Sequence, residues 1–392
     1  MTNKIGISQI AIAIPEYFIS LHELAHERNI PVDYPIKGLG VLEARIPYET
    51  SLLDLATKAL SKINLKGVER IFVGTESDPD ASKPFSVKVL NKKLGLNIVP
   101  FQYKFACIGG LQALLSACEY VKAHDGKPTA VLAFDRSIYS EKDSRAEITQ
   151  GCAAVALRIE EDAKLVIIDY QNIGQYAIDI DDFKVPPYSY PFPQVQGELT
   201  KLSFLLCQKR ALEDGKRKNW KILAEKKLPV TDILDFFILH TPFPKIVEWA
   251  AALFYKHEKL KEKTYLSLEQ CLENISLFKK YKEELDEIRE MPEFKKFFKE
   301  KFLAGLKYNP YIGNSYTCSI FVSLIGVLEK AKKNQQVGIS GYGAGASSIC
   351  FRGIFTLEKD FQSDLREQIK SGKKLSLKEY FQWRKKNEIL NS

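Results

Sequence analysis

The sequence predicts an α/β protein built as two related halves, each a sheet with helices on its faces. Two observations carry this. Apolar strand segments alternate with helical crossovers through the first half, a pattern that favours a sheet covered on both sides. The second half then repeats the theme of strand, helix, helix and strands, although no sequence identity between the halves is evident.

The elements follow in chain order. Residues 5–12 read as a strand and 21–28 as a helix. Residues 70–75 form a second strand, 83–94 a helix, and 99–105 a third strand. A long apolar helix covers 109–123, and 129–134 is a fourth strand. Residues 152–159 and 164–169 read as a strand pair. Residues 183–201 are loop-like, with Pro186, Pro187, Pro191 and Pro193. In the second half, 235–239 is a strand and 245–260 a helix with an apolar stripe. A second apolar helix covers 317–331, entered after Gly313. Strands at 337–340 and 349–356 follow. Residues 265–306 read as two charged amphipathic helices broken near Met291-Pro292. Residues 357–392 read as a charged, helical surface cap. The division is therefore 1–170, then 171–356 with a helical insertion at about 258–306, then 357–392.

Composition narrows the functional classes. A hydrophobic content of 45% supports large buried cores, and a mean hydropathy of -0.19 fits a soluble chain. The net charge is +8, but the lysines of 279–282 are interleaved with Glu284, Glu287 and Glu290, which describes a solvated helix face. A basic surface also steers polyanionic ligands. No zinc-finger spacing or ribonucleoprotein motif points to nucleic acid. The 7 cysteines form no CxxC pair, and no secretory signal is evident. This predicts a reducing cytoplasm, with neither a disulfide framework nor a thiolate metal site. No apolar run reaches the ~18 residues of a membrane-spanning helix.

Four polar residues stand at strand ends or turns. Cys107, in Phe105-Ala106-Cys107-Ile108-Gly109-Gly110, sits at a helix start, where the exposed N–H groups are expected to lower a thiol pKa. Read alone, it is also a buried small hydrophobe. Glu76 ends an apolar strand; burial would raise its pKa and suit it to acid–base work, while the plain reading is an exposed acid. His240 alone of the 5 histidines follows an apolar strand. His22, His26, His124 and His257 lie on polar stretches and read as solvated. Asn314 reads either as an N-cap or as an amide donor to an oxyanion. Gly341-Tyr342-Gly343-Ala344-Gly345-Ala346 follows a strand but precedes another, so it is not a dinucleotide cradle. It reads as a turn that lets backbone approach a substrate. Lys245, opening a helix, is a phosphate-binding candidate or a surface lysine.

Together these motifs resemble the 3-hydroxy-3-methylglutaryl-CoA synthase family. The resemblance spans nearly the whole chain: Gly38-Leu39-Gly40-Val41-Leu42-Glu43, Val73-Gly74-Thr75-Glu76-Ser77, Phe105-Ala106-Cys107, His240-Thr241-Pro242-Phe243, and Tyr311-Ile312-Gly313-Asn314-Ser315-Tyr316-Thr317. Ser376-Leu377-Lys378-Glu379-Tyr380-Phe381 adds to it. The resemblance implies the thiolase fold, two related βαβαβαββ halves forming a five-layered αβαβα core. It implies condensation of acetyl-CoA with acetoacetyl-CoA and water in the mevalonate route. Cys107 would carry the acetyl group, Glu76 would deprotonate it, and His240 would polarise the acceptor carbonyl. Asn314, Lys245, Tyr139, Gly343, Ala344 and Gly345 would bind substrate. No cofactor is implied, since the coenzyme A thioesters are substrates. A cytoplasmic homodimer is implied, and a complex with an acetoacetyl-CoA thiolase and a small bridging protein. The sequence departs from the family at Ile108, where relatives usually carry tyrosine or lysine, at Ala344 for a serine, and at Phe183-Lys184-Val185-Pro186. Other readings on the same fold are a ketoacyl-ACP synthase III-like enzyme, a polyketide β-branching synthase, or a non-catalytic scaffold subunit.

Overall fold

The computed structural model describes residues 4–80, 82–140, 144–186, 192–218, 229–260, 266–357 and 361–389. Its centre is a 10-stranded mixed sheet. The strands are β1 Gly6–Ala13, β2 Ile71–Gly74, β3 Pro100–Tyr103, β4 Thr129–Arg136, β5 Cys152–Glu160, β6 Val166–Ile168, β7 Gly174–Ala177, β8 Phe236–Leu239, β9 Gln336–Gly343 and β10 Ser347–Phe355. They run in the order β3-β2-β4-β5-β1-β6-β10-β9-β8, with β7 on β10.

This order contains one pattern twice. In the first half β2 and β4 are parallel, β4 and β5 antiparallel, and β5 and β1 antiparallel. In the second, β8 and β9 are parallel, β9 and β10 antiparallel, and β10 and β6 antiparallel. The two half-sheets meet where β1 pairs antiparallel with β6 through Gly6–Ile167 and Ile7–Val166. The duplication is thus legible in topology where it is not in side chains.

The helices that matter are α1 Leu21–Glu27, α2 Leu52–Ser61, α3 Gly109–Ala123, α4 Gly197–Lys218, α5 Pro244–Tyr255 and α6 Ser319–Leu328. Strand residues alternate between faces, so each half-sheet feeds two cores. Ala130, Leu132 and Phe134 of β4 pack with Leu55, Ala59 and Leu60 of α2. Val131 and Ala133 face the other way, into a core shared by α3, α6 and strands of both halves. Phe236 and Ile238 of β8 enter that same central core, while Phe237 and Leu239 pack with α4 and α5. The layers are therefore α2, half-sheet, α3 with α6, half-sheet, α4 with α5. The middle position explains why α3 and α6 read as long apolar runs: every residue of α6 is buried.

Close approach at the middle layer needs glycine. A Cβ on Gly74 would lie 2.4 Å from the Gly110 nitrogen, so the end of β2 presses directly on the start of α3.

Several expectations are corrected. The segments 152–159 and 164–169 do not pair with each other, because β1 lies between β5 and β6. Among its described residues the insertion holds three α-helices in place of two: Leu268–Glu273, Leu277–Glu290 and Pro292–Lys301. Its expected start at residue 265 lies outside the described residues. The loop-like stretch ends early, since α4 starts at Gly197; Phe183–Lys184 and Gln194–Val195 pair as a small ribbon before it. Pro187 and Pro191 lie outside the described residues. The chain also folds Tyr17–Ser20 and Glu43–Ile46 into a small sheet that the alternation pattern does not predict.

The cap is more than a surface element. Its helix Leu377–Ile389 buries Tyr380, Trp383 and Arg384. Arg384 pairs with Glu147, which also accepts from Arg28 at 2.7 Å and from the Tyr380 hydroxyl at 2.7 Å. Arg384 donates further to the Tyr139 carbonyl. Removing Arg384 takes one of two cations from the fully buried Glu147 and a donor from the Tyr139 carbonyl. Arg384→Met should therefore lower the unfolding free energy by about 3 kcal/mol, read by urea denaturation, with the midpoint falling and the slope retained.

Candidate active site

Cys107 lies in the tight turn between β3 and α3. Ala106, just before it, holds a φ of +41°. That strained residue swings the thiol back toward the end of β2, where the Cys107 Sγ donates to Glu76 Oε1 at 3.1 Å. The approach depends on the Gly74–Gly110 contact described above.

Beneath this pair sits Asp135, fully buried at the end of β4. Its Oδ1 accepts from the Thr75 hydroxyl and from the Glu76 and Ser77 N–H groups, each at 2.9 Å. Its Oδ2 accepts from the Thr317 N–H at 3.1 Å and from the Thr317 hydroxyl. One carboxylate thus ties the Glu76 turn of the first half to the Asn314–Thr317 turn of the second.

The electrostatics follow from burial. Desolvation, reinforced by the negative charge of Asp135, pushes Glu76 up to about 8. Burial and then the neighbouring Glu76 push the Cys107 thiol well above its ordinary value. This corrects the expectation of a thiol lowered by the helix start: two nearby carboxylates in a dry site outweigh the helix end. The resting cysteine is a thiol that needs a base, and Glu76 is in contact with it.

His240 follows β8 and donates its backbone N–H to Ser340 at 2.9 Å. Pro244 then opens α5, so the intervening turn is short. Burial pushes the imidazole down to about 3, leaving it neutral. Its Nδ1 lies 2.6 Å from Ser319 Oγ, which also accepts from the Thr241 N–H at 3.3 Å. With the Ser319 hydroxyl donating to Nδ1, the ring hydrogen stands on Nε2, the tautomer in which Nε2 is a donor.

Asn314 is set by Gly313, whose φ is +83° and whose Cβ would lie 1.8 Å from the Gln150 carbonyl. The Asn314 N–H donates to Thr149 at 2.8 Å, and its Oδ1 accepts from the Tyr316 N–H at 3.0 Å. The side chain closes an Asx-type turn onto Tyr316, and the N-cap expectation is corrected, since Ser315 holds that position before Tyr316–Cys318. The turn also orients the amide, leaving the NH₂ end to the cavity that Asn314 lines.

That cavity, about 390 Å³, brings together Cys107, Tyr139, His240, Asn314, Tyr342 and Ala344. A second cavity, about 770 Å³, is lined by Glu76, Lys104 and Ala106 on the other side. Tyr139 is buried, and its phenol is pushed up to about 12 by desolvation. Lys245 lines neither cavity and pairs with Glu248 at 2.7 Å. In the glycine-rich turn, the Gly345 N–H is taken by Asp182 at 3.0 Å and the Ala346 N–H by Ile178 at 2.7 Å. Of that turn, Ala344 lines the cavity, while Gly343 and Gly345 do not. Ile108 is fully buried and packs under Gly341 and Gly343, which accounts for an apolar residue there. His257, expected to be solvated, is half-buried and pushed down to about 4 by desolvation, and it lines neither cavity.

Sequence reasoning missed Asp135, Asp182 and Ser319. Asp135 had the signal that exposed Glu76, an acid ending an apolar strand. Ser319 had none, since a serine within an apolar helix is ordinary.

A thiol, a carboxyl, a neutral imidazole and an amide, drawn from the ends of two matching half-sheets, describe a thiolase-fold condensing enzyme. Solved structures agree on the fold. "MvaS in complex with 3-hydroxy-3-methylglutaryl coenzyme A" superposes with a TM-score of 0.80 at 22% identity, covering 98% of this chain and 92% of its own. "Crystal Structure of the Curacin Biosynthetic Pathway HMG Synthase" superposes with 0.79 at 22%, covering 97% and 87%.

The family is defined by sequence. The family model "Hydroxymethylglutaryl-coenzyme A synthase C terminal" matches residues 166–388, and "Hydroxymethylglutaryl-coenzyme A synthase N terminal" matches 1–164. The chain belongs to the hydroxymethylglutaryl-CoA synthase family and is an enzyme of that class. The Hydroxymethylglutaryl-CoA synthase of Haloferax volcanii is 29% identical over 80% of this chain and 75% of its own. That of Enterococcus faecalis is 26% identical over 93% and 86%.

Two outcomes are expected. Turnover that needs the Glu76 carboxylate rises with pH through about 8, because the base exists only above its own pKa. A pH–rate profile checks this, and Glu76→Gln should abolish that limb. Ser319→Ala should cut kcat about tenfold and Ser319→Thr should restore it, with the imidazole tautomer read by nitrogen NMR.

Proposed function

We propose that Cys107, Glu76, His240 and Asn314 perform the family's reaction, the condensation of acetyl-CoA with acetoacetyl-CoA and water to give 3-hydroxy-3-methylglutaryl-CoA and CoA. The observation that carries the assignment is the 3.1 Å contact of Cys107 with Glu76, beside a cavity that Cys107 shares with His240 and Asn314.

Cys107 attacks the acetyl-CoA carbonyl while Glu76 takes the thiol proton, and CoA leaves with a proton returned to it. Glu76 then takes a proton from the acetyl methyl. The carbanion attacks C3 of acetoacetyl-CoA, the His240 Nε2–H polarises that carbonyl and protonates the new alkoxide, and the proton that Glu76 took from the methyl is returned to His240, leaving Glu76 a carboxylate again. A neutral imidazole suits this step, since it donates without adding a charge to a dry site. Asn314 holds the acceptor, with Tyr139 in the same wall. The Ala344 N–H is the natural backbone donor of its turn. Lys245, paired with Glu248, is left as a rim residue for the nucleotide end of coenzyme A. Water finally releases the product from Cys107. The thioesters are substrates, and the chemistry calls for no cofactor. The product belongs to the mevalonate route.

A homodimer is supported by β3, an edge strand of the sheet, which carries exposed Phe101 and is flanked by exposed Val99 and Phe105. A cytoplasmic setting is supported by unpaired, mostly buried cysteines, and no described helix is long and apolar enough to cross a membrane. A further complex with a thiolase and a bridging protein is carried by the resemblance.

Intact-protein mass spectrometry with acetyl-CoA should give a single acetyl adduct that acetoacetyl-CoA clears with release of 3-hydroxy-3-methylglutaryl-CoA. Cys107→Ala should show none. An adduct that persists until a carrier-protein thioester is added would move the acceptor assignment to carrier proteins. Val99→Asp with Phe101→Lys should convert a dimer to a monomer in light scattering.

A further inference from the structure

The two cavities touch the Cys107–Glu76 pair from opposite sides. Cys107 lines the smaller one and Glu76 the larger, and Phe183, Tyr316 and Ala344 line both, forming the partition. The smaller is chiefly apolar and holds His240 and Asn314, the groups that meet the acceptor thioester. A site of that kind buries most of its ligand's surface. With an acyl-pantetheine arm seated there, solvent has no path to Cys107 along the same side. Yet the reaction ends in hydrolysis of a thioester on Cys107, which needs a water at the acyl carbon.

We infer that the larger cavity is a hydrolytic port, separate from the thioester tunnel, which delivers water to the Cys107 acyl group and lets the new carboxylate form on its side of the partition. The inference rests on the assignment of an acyl-Cys107 intermediate. In the step itself, water oxygen attacks the acyl carbon and gives one proton to Glu76. The carbon–sulfur bond breaks, and the Cys107 sulfur takes that proton back. The acid formed loses its own proton to solvent. The port is the more polar of the two cavities and the more basic: Lys104, Arg136, Lys184 and Lys386 line it, with Glu49 among them. The Lys104 charge acts on Glu76 directly. Positive charge there favours the anion that hydrolysis generates.

The test plugs the port from two walls that the tunnel does not share. Thr50 and Val185 line only the larger cavity. Thr50→Trp and Val185→Trp are acetylated with acetyl-CoA, and the adduct is followed by mass spectrometry with and without acetoacetyl-CoA. The expected result is acetylation at the wild-type rate, hydrolysis of the acetyl adduct slowed about tenfold, and build-up of the condensed adduct on Cys107. Hydrolysis at the wild-type rate in both variants, with melting curves unchanged, overturns the port. No adduct on the wild-type chain would instead overturn the acyl-Cys107 assignment, and the port with it. A variant that melts early is replaced by Thr50→Phe, read in the same way.

Discussion

Asp135 receives hydrogen bonds from Thr75, Glu76 and Ser77 on one oxygen and from Thr317 on the other, and the site is organised around it. Those donors come from two halves of the chain that share a topology but not a sequence. Desolvating a carboxylate this completely is costly unless its lone pairs are filled, and here they are. The same charge then raises Glu76. A single buried acid therefore fixes geometry and sets the basicity of its neighbour. Thr317 also reaches the Gly74 carbonyl at 3.3 Å, so the clamp extends to the end of β2.

The charge state that results is neutral at rest. Glu76 is lifted by burial, Cys107 is held as a thiol and His240 as an imidazole. Above the buried Asp135, none of these three groups carries a standing charge, so each proton moves only when a substrate arrives. Hydrogen bonds to developing oxyanions then count for more than they would in water. Ser319 supports this by holding the ring through Nδ1, so that Nε2 is the nitrogen left for the substrate.

Much of this was legible in the sequence, for stated reasons. α3 was read with its bounds because its apolar run lies between the two half-sheets, with Gln112, Ser116 and Glu119 confined to one narrow stripe. Glu76, Cys107, His240 and Asn314 stood out because each follows an apolar strand or a glycine, where a polar group must have a purpose or a partner. The resemblance ordered them. What escaped had weaker local signals. α4 mixes buried Leu202–Cys207 with lysines and arginines after a proline-rich stretch, so its apolar face is diluted. The thiol pKa escaped because it depends on Asp135 and Glu76, which only tertiary structure brings near. The glycine-rich turn was read as a donor array, but Asp182 and Ile178 claim two of its N–H groups from distant positions.

Glu147 gathers Arg28, Tyr380 and Arg384 in the interior, and the same arginine holds the Tyr139 carbonyl. Gln150 bonds to Tyr380 at 2.7 Å, and its backbone bridges to Asn314. The acceptor wall thus takes its final form from residues 380–384, which lie far along the chain from Cys107 and Glu76. A nascent chain holding Cys107 and Glu76 already in the open carries a desolvation-dependent base that is not yet enclosed by its last wall. Enclosure of that base therefore waits on the helix Leu377–Ile389.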